Sequence, residues 1–302
     1  MMRSFRKRQW VFITVFPVLA LVPAFSGSYQ VRTLMAFLFY FLLSQCISLQ
    51  AGQAGYLNLG QGVFVGIGAY ASGLLVQVGL PWWLSLILAA CMGVVVSGVL
   101  GPLLFRLGKE AFAIATLALV YVCFSATNML RNITGGTDGL SVPMNGQLHG
   151  AFFCLLFLCC SAMAIGLLLP HLRLGYHLEL TGSDPARAEA VGVPARFTMG
   201  KIYALSASLL TLGGGLFMMG EGYLIPSTVF GLRVSLLPVA MAMVGGLRNP
   251  LGPLVGTAVV FGFQEWLWSY AGGMEQTLLG LLLILAGKRQ MLFQRLRMKL
   301  FP

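Results

Sequence analysis

The chain has 302 residues, of which 58% are apolar and 9% charged, and it carries a net charge of +11. A soluble domain holds about 25% charged residues, so this chain has too little polar surface to cover a water-soluble globule, and a bilayer is the host its composition allows. In a soluble protein the positive excess would suggest nucleic acid. Here the basic residues sit in short clusters between apolar runs, which is how topology determinants are arranged; membrane lipid is the expected surrounding and no nucleic-acid partner is.

Arg3, Arg6, Lys7 and Arg8 precede an apolar run from Val11 to Phe25, followed by Ser26, Gly27 and Ser28. A signal peptide has this outline. No small-x-small cleavage site follows, however, and many further apolar runs do, so an uncleaved first span is expected. A helix crosses hydrocarbon in about 20 residues. Ten segments qualify, near 10–25, 30–50, 54–78, 82–105, 110–129, 151–170, 199–220, 231–247, 252–270 and 274–287. The expected fold is all-α and polytopic, one integral domain over 1–302 with no soluble appendage and a loop at 171–201. The third span is rich in glycine and is expected to be broken. Gly62, Gly66, Gly68 and Gly73 fall on or near one of its faces, and Gly213, Gly214 and Gly215 either pack or break the seventh span.

With ten spans and a cytoplasmic N-terminus, all but three of the 19 basic residues lie on the cytoplasmic side; Arg32, Arg131 and Arg233 are the exceptions. Inverting the chain would reverse this ratio, and an odd number of spans would place the basic C-terminal tail outside. Both termini are therefore expected in the cytoplasm.

The chain offers little chemistry of its own. Gly108–Lys109, Gly200–Lys201 and Gly287–Lys288 are followed by Glu110, Ile202 and Arg289, so none supplies the hydroxyl that a phosphate-binding loop needs. Gly66-Ile67-Gly68-Ala69-Tyr70-Ala71 loosely fits a dinucleotide fingerprint but lies inside an apolar span with no strand before it. Cys46, Cys91, Cys123, Cys154, Cys159 and Cys160 all lie in apolar runs and read as small core residues. The three histidines and most of the eight acids fall in loops or at span ends, so neither a catalytic constellation nor a metal site is expected. A charge at mid-bilayer costs at least about 2.5–3.5 kcal/mol, and ion-driven carriers keep such residues for function. Glu265 is the one acid placed moderately deep. An ion-coupled carrier that uses backbone carbonyls remains a second reading.

The loop at 171–201 contains a compact helix signal. Asp184 can cap, Pro185 suits the first helical position, Ala186 to Val191 continue, Gly192 can end the helix and Pro194 forbids its return. A helix of about two turns is unstable alone in water, so it must dock. Its small, alanine-rich side suits insertion into a partner's groove; an ordinary capped loop helix accounts for the same residues.

Several stretches carry a resemblance. Ala188-Glu189-Ala190-Val191-Gly192-Val193 is similar to the cytoplasmic loop of branched-chain amino acid ABC permeases. Leu57-Asn58-Leu59-Gly60-Gln61-Gly62, continuing through Gly66 to Tyr70, resembles the family's L-S-L-G-[HQ] run. Phe112 to Ala118, Gly135-Gly136-Thr137-Asp138-Gly139-Leu140, and Gly245-Gly246-Leu247 with Gly252 to Gly256 match further family motifs, in the family's order, over roughly residues 45 to 270. Departures occur at Asn58, where a smaller polar residue is commoner, and at Glu179 to Pro185, where the family carries a basic-and-acidic run.

The resemblance implies a permease subunit without cofactor, in the bacterial inner membrane, whose ATP and Mg are bound by two separate ABC ATPase subunits. It further implies a second homologous permease and a periplasmic or extracellular substrate-binding protein, and a cargo of branched-chain amino acids or, on related scaffolds, urea or short amides. Asp184, Arg187, Ala188, Glu189, Ala190 and Gly192 are then the coupling residues. Gln53, Asn58 and Gln61 are expected to line the path, with hydrogen bonding between helices as an equal alternative. Arg131 and Asp138 are expected to dock the binding protein or to cap their loop.

Overall fold

The computed structural model describes residues 27–142 and 148–270, with the single positions Leu19 and Pro23. The expected first span, apart from those two positions, the expected tenth span, and the basic clusters at 3–8 and 288–299 lie outside the described residues.

In chain order the helices are α1 (Ser28–Ala54), α2 (Gln61–Gln77), α3 (Trp82–Leu104), α4 (Lys109–Met129), the single turn α5 (Arg131–Thr134), α6 (Leu148–Leu168), α7 (Arg173–Ser183), α8 (Pro185–Ala190), α9 (Ala195–Glu221), α10 (Pro226–Phe230), α11 (Leu232–Gly245) and α12 (Gly252–Tyr270). Two-residue strands, β1 (Leu140–Ser141) and β2 (Tyr223–Leu224), pair antiparallel with Leu140 opposite Leu224 and Ser141 opposite Tyr223.

Against ten spans expected for the whole chain, six helical stretches among the described residues are long and apolar enough to cross a membrane: α1, α3, α4, α6, α9 and the α10–α11 pair. The segment 54–78 is not one helix. α1 runs on to Ala54 and stops at Gly55, whose φ of 73° is a conformation open to glycine at little cost. Residues 55–60 have no regular structure, and α2 starts only at Gln61 and is 17 residues long.

α1 and α9 form the centre of the bundle and are mostly buried, whereas α3 and α4 lie at its edge and are mostly exposed. Composition explains the central position of α9. Successive helical residues point about 100° apart, so three consecutive glycines can admit three different neighbours. Gly213 faces Leu42 of α1, Gly214 faces the backbone of Val65 in α2, and Gly215 faces Leu86 of α3. The helix itself runs unbroken through them. The glycines of α2 divide between two neighbours and do not share one face. Gly62 and Gly66 meet Val229 and Phe230 at the end of α10, while Gly68 meets the backbone of Thr211 in α9.

Contacts sort the bundle into two ends. At one, Ser48 donates to the Leu247 carbonyl at 2.7 Å and Lys109 donates to the Gly182 carbonyl at 2.5 Å. At the other, Arg32 pairs with Glu221 at 3.5 Å, Gln77 donates to the Ser141 carbonyl at 2.8 Å and β1 meets β2.

Candidate coupling surface and transport path

α8 is stopped at both ends by local chemistry. Asp184 is extended, and its Oδ1 accepts from the backbone N–H groups of Ala186 at 3.0 Å and Arg187 at 3.2 Å. Its Oδ2 also pairs with Arg187 Nε at 3.1 Å. Pro185 occupies the first turn, where its missing N–H costs nothing. At the other end Gly192 has φ 83°, its N–H reaches the Glu189 carbonyl at 3.0 Å, and the Val193 N–H reaches the Ala188 carbonyl at 2.9 Å. This is the Schellman arrangement, accompanied by its usual apolar pair: Ala188 and Val193 are both buried.

The sequence-selected residues of this loop therefore divide. Ala188 points into the bundle and seats the helix, whereas Arg187, Glu189, Ala190 and Gly192 are exposed, with Ala186 and Val191 beside them. Asp184 is half-buried and holds the first turn.

The preceding helix α7 was not anticipated. Gly175, Leu178 and Thr181 form its buried side, and a period-3 to period-4 reading from Leu174 to Thr181 would have exposed it. Gly182, next to its end, lies against the backbone carbonyls of Gln53 and Ala54 at the end of α1. A side chain there would meet both at 2.8 Å. The loop carrying α7 and α8 is thus seated on the place where α1 gives way to the non-helical segment.

The structure does not bring the three expected path residues together. Gln53 is half-buried at the α7–α8 end, in a small crevice with Ser48, Leu169, Leu247 and Arg248. Asn58 and Gln61 lie deep in the bundle, each 1% exposed. Gln61 Nε2 donates to the Leu43 carbonyl at 2.9 Å. Leu43 is 11 residues from the end of α1 at Ala54, about 16 Å at 1.5 Å per residue. The chain from Gly55 to Gly60 therefore climbs from the bundle end to mid-depth before α2 begins. Thr116 in α4 holds it there by accepting from the Leu59 N–H at 3.2 Å; sequence reading had no signal for that residue beyond its motif.

The two deep amides are only half satisfied. Asn58 Oδ1 accepts from the Gly60 N–H at 2.8 Å, but its Nδ2 has no partner. Gln61 spends its Nε2 on Leu43, and its Oε1 has no partner. A buried polar atom left unmatched costs about 1–3 kcal/mol and is uncommon in native structures.

Arg131 and Asp138 are both exposed on one loop at the opposite end, and neither side chain forms a hydrogen bond or ion pair among the described residues. Loop capping falls to Thr134, whose hydroxyl donates to the Thr127 and Leu130 carbonyls and accepts from the Gly136 N–H at 3.2 Å. The Tyr223 hydroxyl fastens the loop by donating to the Asp138 carbonyl at 2.5 Å. Among the described residues, no group of three or more His, Cys, Asp or Glu could hold a metal ion.

Comparison with known proteins agrees with this architecture. The family model described as "Branched-chain amino acid transport system / permease component" matches residues 29–287. The high-affinity branched-chain amino acid transport system permease protein LivM of Escherichia coli (strain K12) is 24% identical, over 85% of this chain and 68% of its own. The inner membrane ABC transporter permease protein YjfF of the same organism is 24% identical, over 72% of this chain and 68% of its own. The fructose import permease protein FruF of Bifidobacterium longum (strain NCC 2705) is 23% identical, over 73% and 64%. No solved structure matches the chain. With a match over most of its length and the helical bundle described above, the chain belongs to the permease-component family of branched-chain amino acid transport systems.

Proposed function

We propose that this chain is the membrane-spanning half of an ATP-driven importer for branched-chain or other hydrophobic amino acids. It works beside a second homologous permease, and two separate ABC ATPase subunits hydrolyse ATP and hold its Mg. The observation that carries this reading is α8, a six-residue helix capped at both ends and seated by Ala188, which offers Arg187, Glu189 and Ala190 to a partner. Its end of the bundle is the cytoplasmic one in this reading, and the chain sits in the bacterial inner membrane. The exposed Arg131 and Asp138 at the opposite end receive the ligand-loaded binding protein.

Moving a gate between 1:99 and 99:1 requires about 5.5 kcal/mol of differential binding, and a ligand supplies it only by gripping the two states unequally. ATPase contacts on α8 are the proposed source. Reconstituted with its ATPase subunits, a Glu189→Lys or Gly192→Trp variant is expected to lose uptake at least tenfold while ATP hydrolysis continues and the chain still inserts. Unchanged uptake in both variants argues against α8 as the coupling element. The similarity to a fructose import permease supports a sugar as the alternative cargo, and uptake of labelled leucine against labelled fructose separates the two.

A further inference from the structure

We infer that the amino end of α2, at mid-depth in the bundle, is a binding subsite for the carboxylate of a zwitterionic substrate, with Asn58 and Gln61 as its side-chain ligands. This deepens the amino acid reading above and rests on it.

The first observation is where α2 starts. A helix that begins at a membrane surface can leave its first N–H groups to water. α2 begins at mid-depth, and Gly60 ahead of it provides no side-chain cap. The Val63 N–H turns back to the Gly60 carbonyl at 3.1 Å, while among the described residues the N–H groups of Gln61 and Gly62 meet no acceptor. The amino end of a helix carries roughly half a positive charge and ready donors for an anion. Discontinuous helices in membrane carriers present such ends to anionic groups.

The second observation is independent of the helix end. Asn58, 1% exposed, is fixed at the start of α2 by its bond to the Gly60 N–H, and its remaining donor, Nδ2, is unmatched. Gln61, equally buried, has an unmatched acceptor, Oε1. The local bond of Asn58 and the bond of Gln61 to α1 use only one hand of each amide. What is left open is one side-chain donor on Asn58, two backbone donors at Gln61 and Gly62, and one side-chain acceptor on Gln61, all within five consecutive residues at the start of α2. A carboxylate matches the donors and an ammonium matches the acceptor. Ser235 adds a third unmatched side-chain polar atom, with its Oγ 3.5 Å from the position a Cβ on Gly62 would take. No charged side chain takes part. That suits transient binding of a molecule whose two charges cancel, since a fixed counter-charge would hold it and would itself be costly at this depth. Val120 and Phe230 next to Gly62 and Gly66 supply apolar surface for a hydrophobic side chain.

In this conformation the subsite is closed. The Val229 carbonyl and Val120 Cγ1 stand 3.0 and 3.2 Å from where a Gly62 side chain would begin. The cover on one side is α10, five residues long and connected to the rest of its span through Gly231, and binding requires it to withdraw.

Saturation-transfer difference NMR on the full chain in nanodiscs of zwitterionic lipid tests the assignment, with leucine and leucinamide as probes. The wild-type chain is expected to give leucine at least five times the signal of leucinamide. Asn58→Asp, which replaces the proposed donor with a negative group facing the substrate carboxylate, is expected to cut the leucine signal at least fivefold. Equal signals from the two probes, no signal from either, or a leucine signal unchanged in the variant overturns the proposal. The probe comparison on wild type needs no variant to fold. ATP-driven leucine uptake into proteoliposomes is measured alongside. Uptake with no preference between the probes sinks the subsite alone, and a leucine-selective signal without uptake sinks the importer reading alone.

Discussion

Asp184 shows how a single side chain sets the local structure of the helix proposed to couple to an ATPase. Its carboxylate satisfies two of the four N–H groups that every helix start leaves open, and a six-residue helix has no length with which to compensate for losing them. Replacing such a cap with alanine costs about 1 kcal/mol. Placing a side chain at Gly192, where φ is 83°, costs roughly 1–2 kcal/mol. Hydrogen exchange of residues 185–193 in the membrane-embedded protein is therefore expected to quicken about fivefold in Asp184→Ala and somewhat more in Gly192→Ala, with α1 and α9 unchanged. Unaltered exchange in both would mean that the bundle, and not the caps, holds α8 in shape. The Arg187–Asp184 pair contributes little to this, because Arg187 is largely in water and exposed pairs are worth about 0–1 kcal/mol.

Between elements, the informative contact is the one joining the loop to the non-helical segment between α1 and α2. Lys109 at the start of α4 donates to the Gly182 carbonyl, lies 5.9 Å from the centre of the Tyr56 ring and passes beside Gly55. Gly182 in turn rests on the carbonyls at the end of α1. These contacts join the neighbour of α8 to the segment 55–60 that leads to Asn58 and Gln61, and they are the route by which the coupling proposed above would reach that segment. Lys109→Met is expected to lower solute moved per ATP hydrolysed several-fold without changing membrane insertion, and Lys109→Arg, which keeps the cation, to retain most of it. Equal ratios in all three proteins would place the link elsewhere. The elements legible in the sequence were those with strong local signals: apolar runs long enough to cross a bilayer, and α8, whose cap, proline and terminal glycine are adjacent in the chain. α7 escaped because two of its three buried residues, Gly175 and Thr181, carry little apolar signal. The position of α10 against Gly62 and Gly66 escaped for a different reason: it is set by contacts between residues more than 160 apart. The half-satisfied state of Asn58 and Gln61 was equally invisible, since which hand of an amide is taken depends on where Leu43 and Gly60 lie in space.

The molecule as a whole is polarised, and the polarity has a definite experimental consequence. Arg106, Lys109, Arg173, Arg187, Arg196, Lys201 and Arg248 accompany the end that carries α7 and α8, while Arg32 and Arg131 accompany the end that carries β1 and β2. Basic residues in short loops set orientation by remaining on the cytoplasmic side, so the contacts that sort the bundle into two ends and the charges that orient it give the same division. Glu189 and Asp138 are exposed at opposite ends and can each be replaced by cysteine once the exposed native Cys91 is changed to serine. In intact cells with the outer barrier opened, an impermeant maleimide is expected to label Asp138→Cys and to spare Glu189→Cys until the inner membrane is permeabilised. The reverse pattern would put α8 outside, beyond the reach of any ATPase, and the coupling role proposed for it would fail together with the Lys109 link. The subsite at Asn58 and Gln61 would stand in either case, because mid-depth is the same distance from both faces.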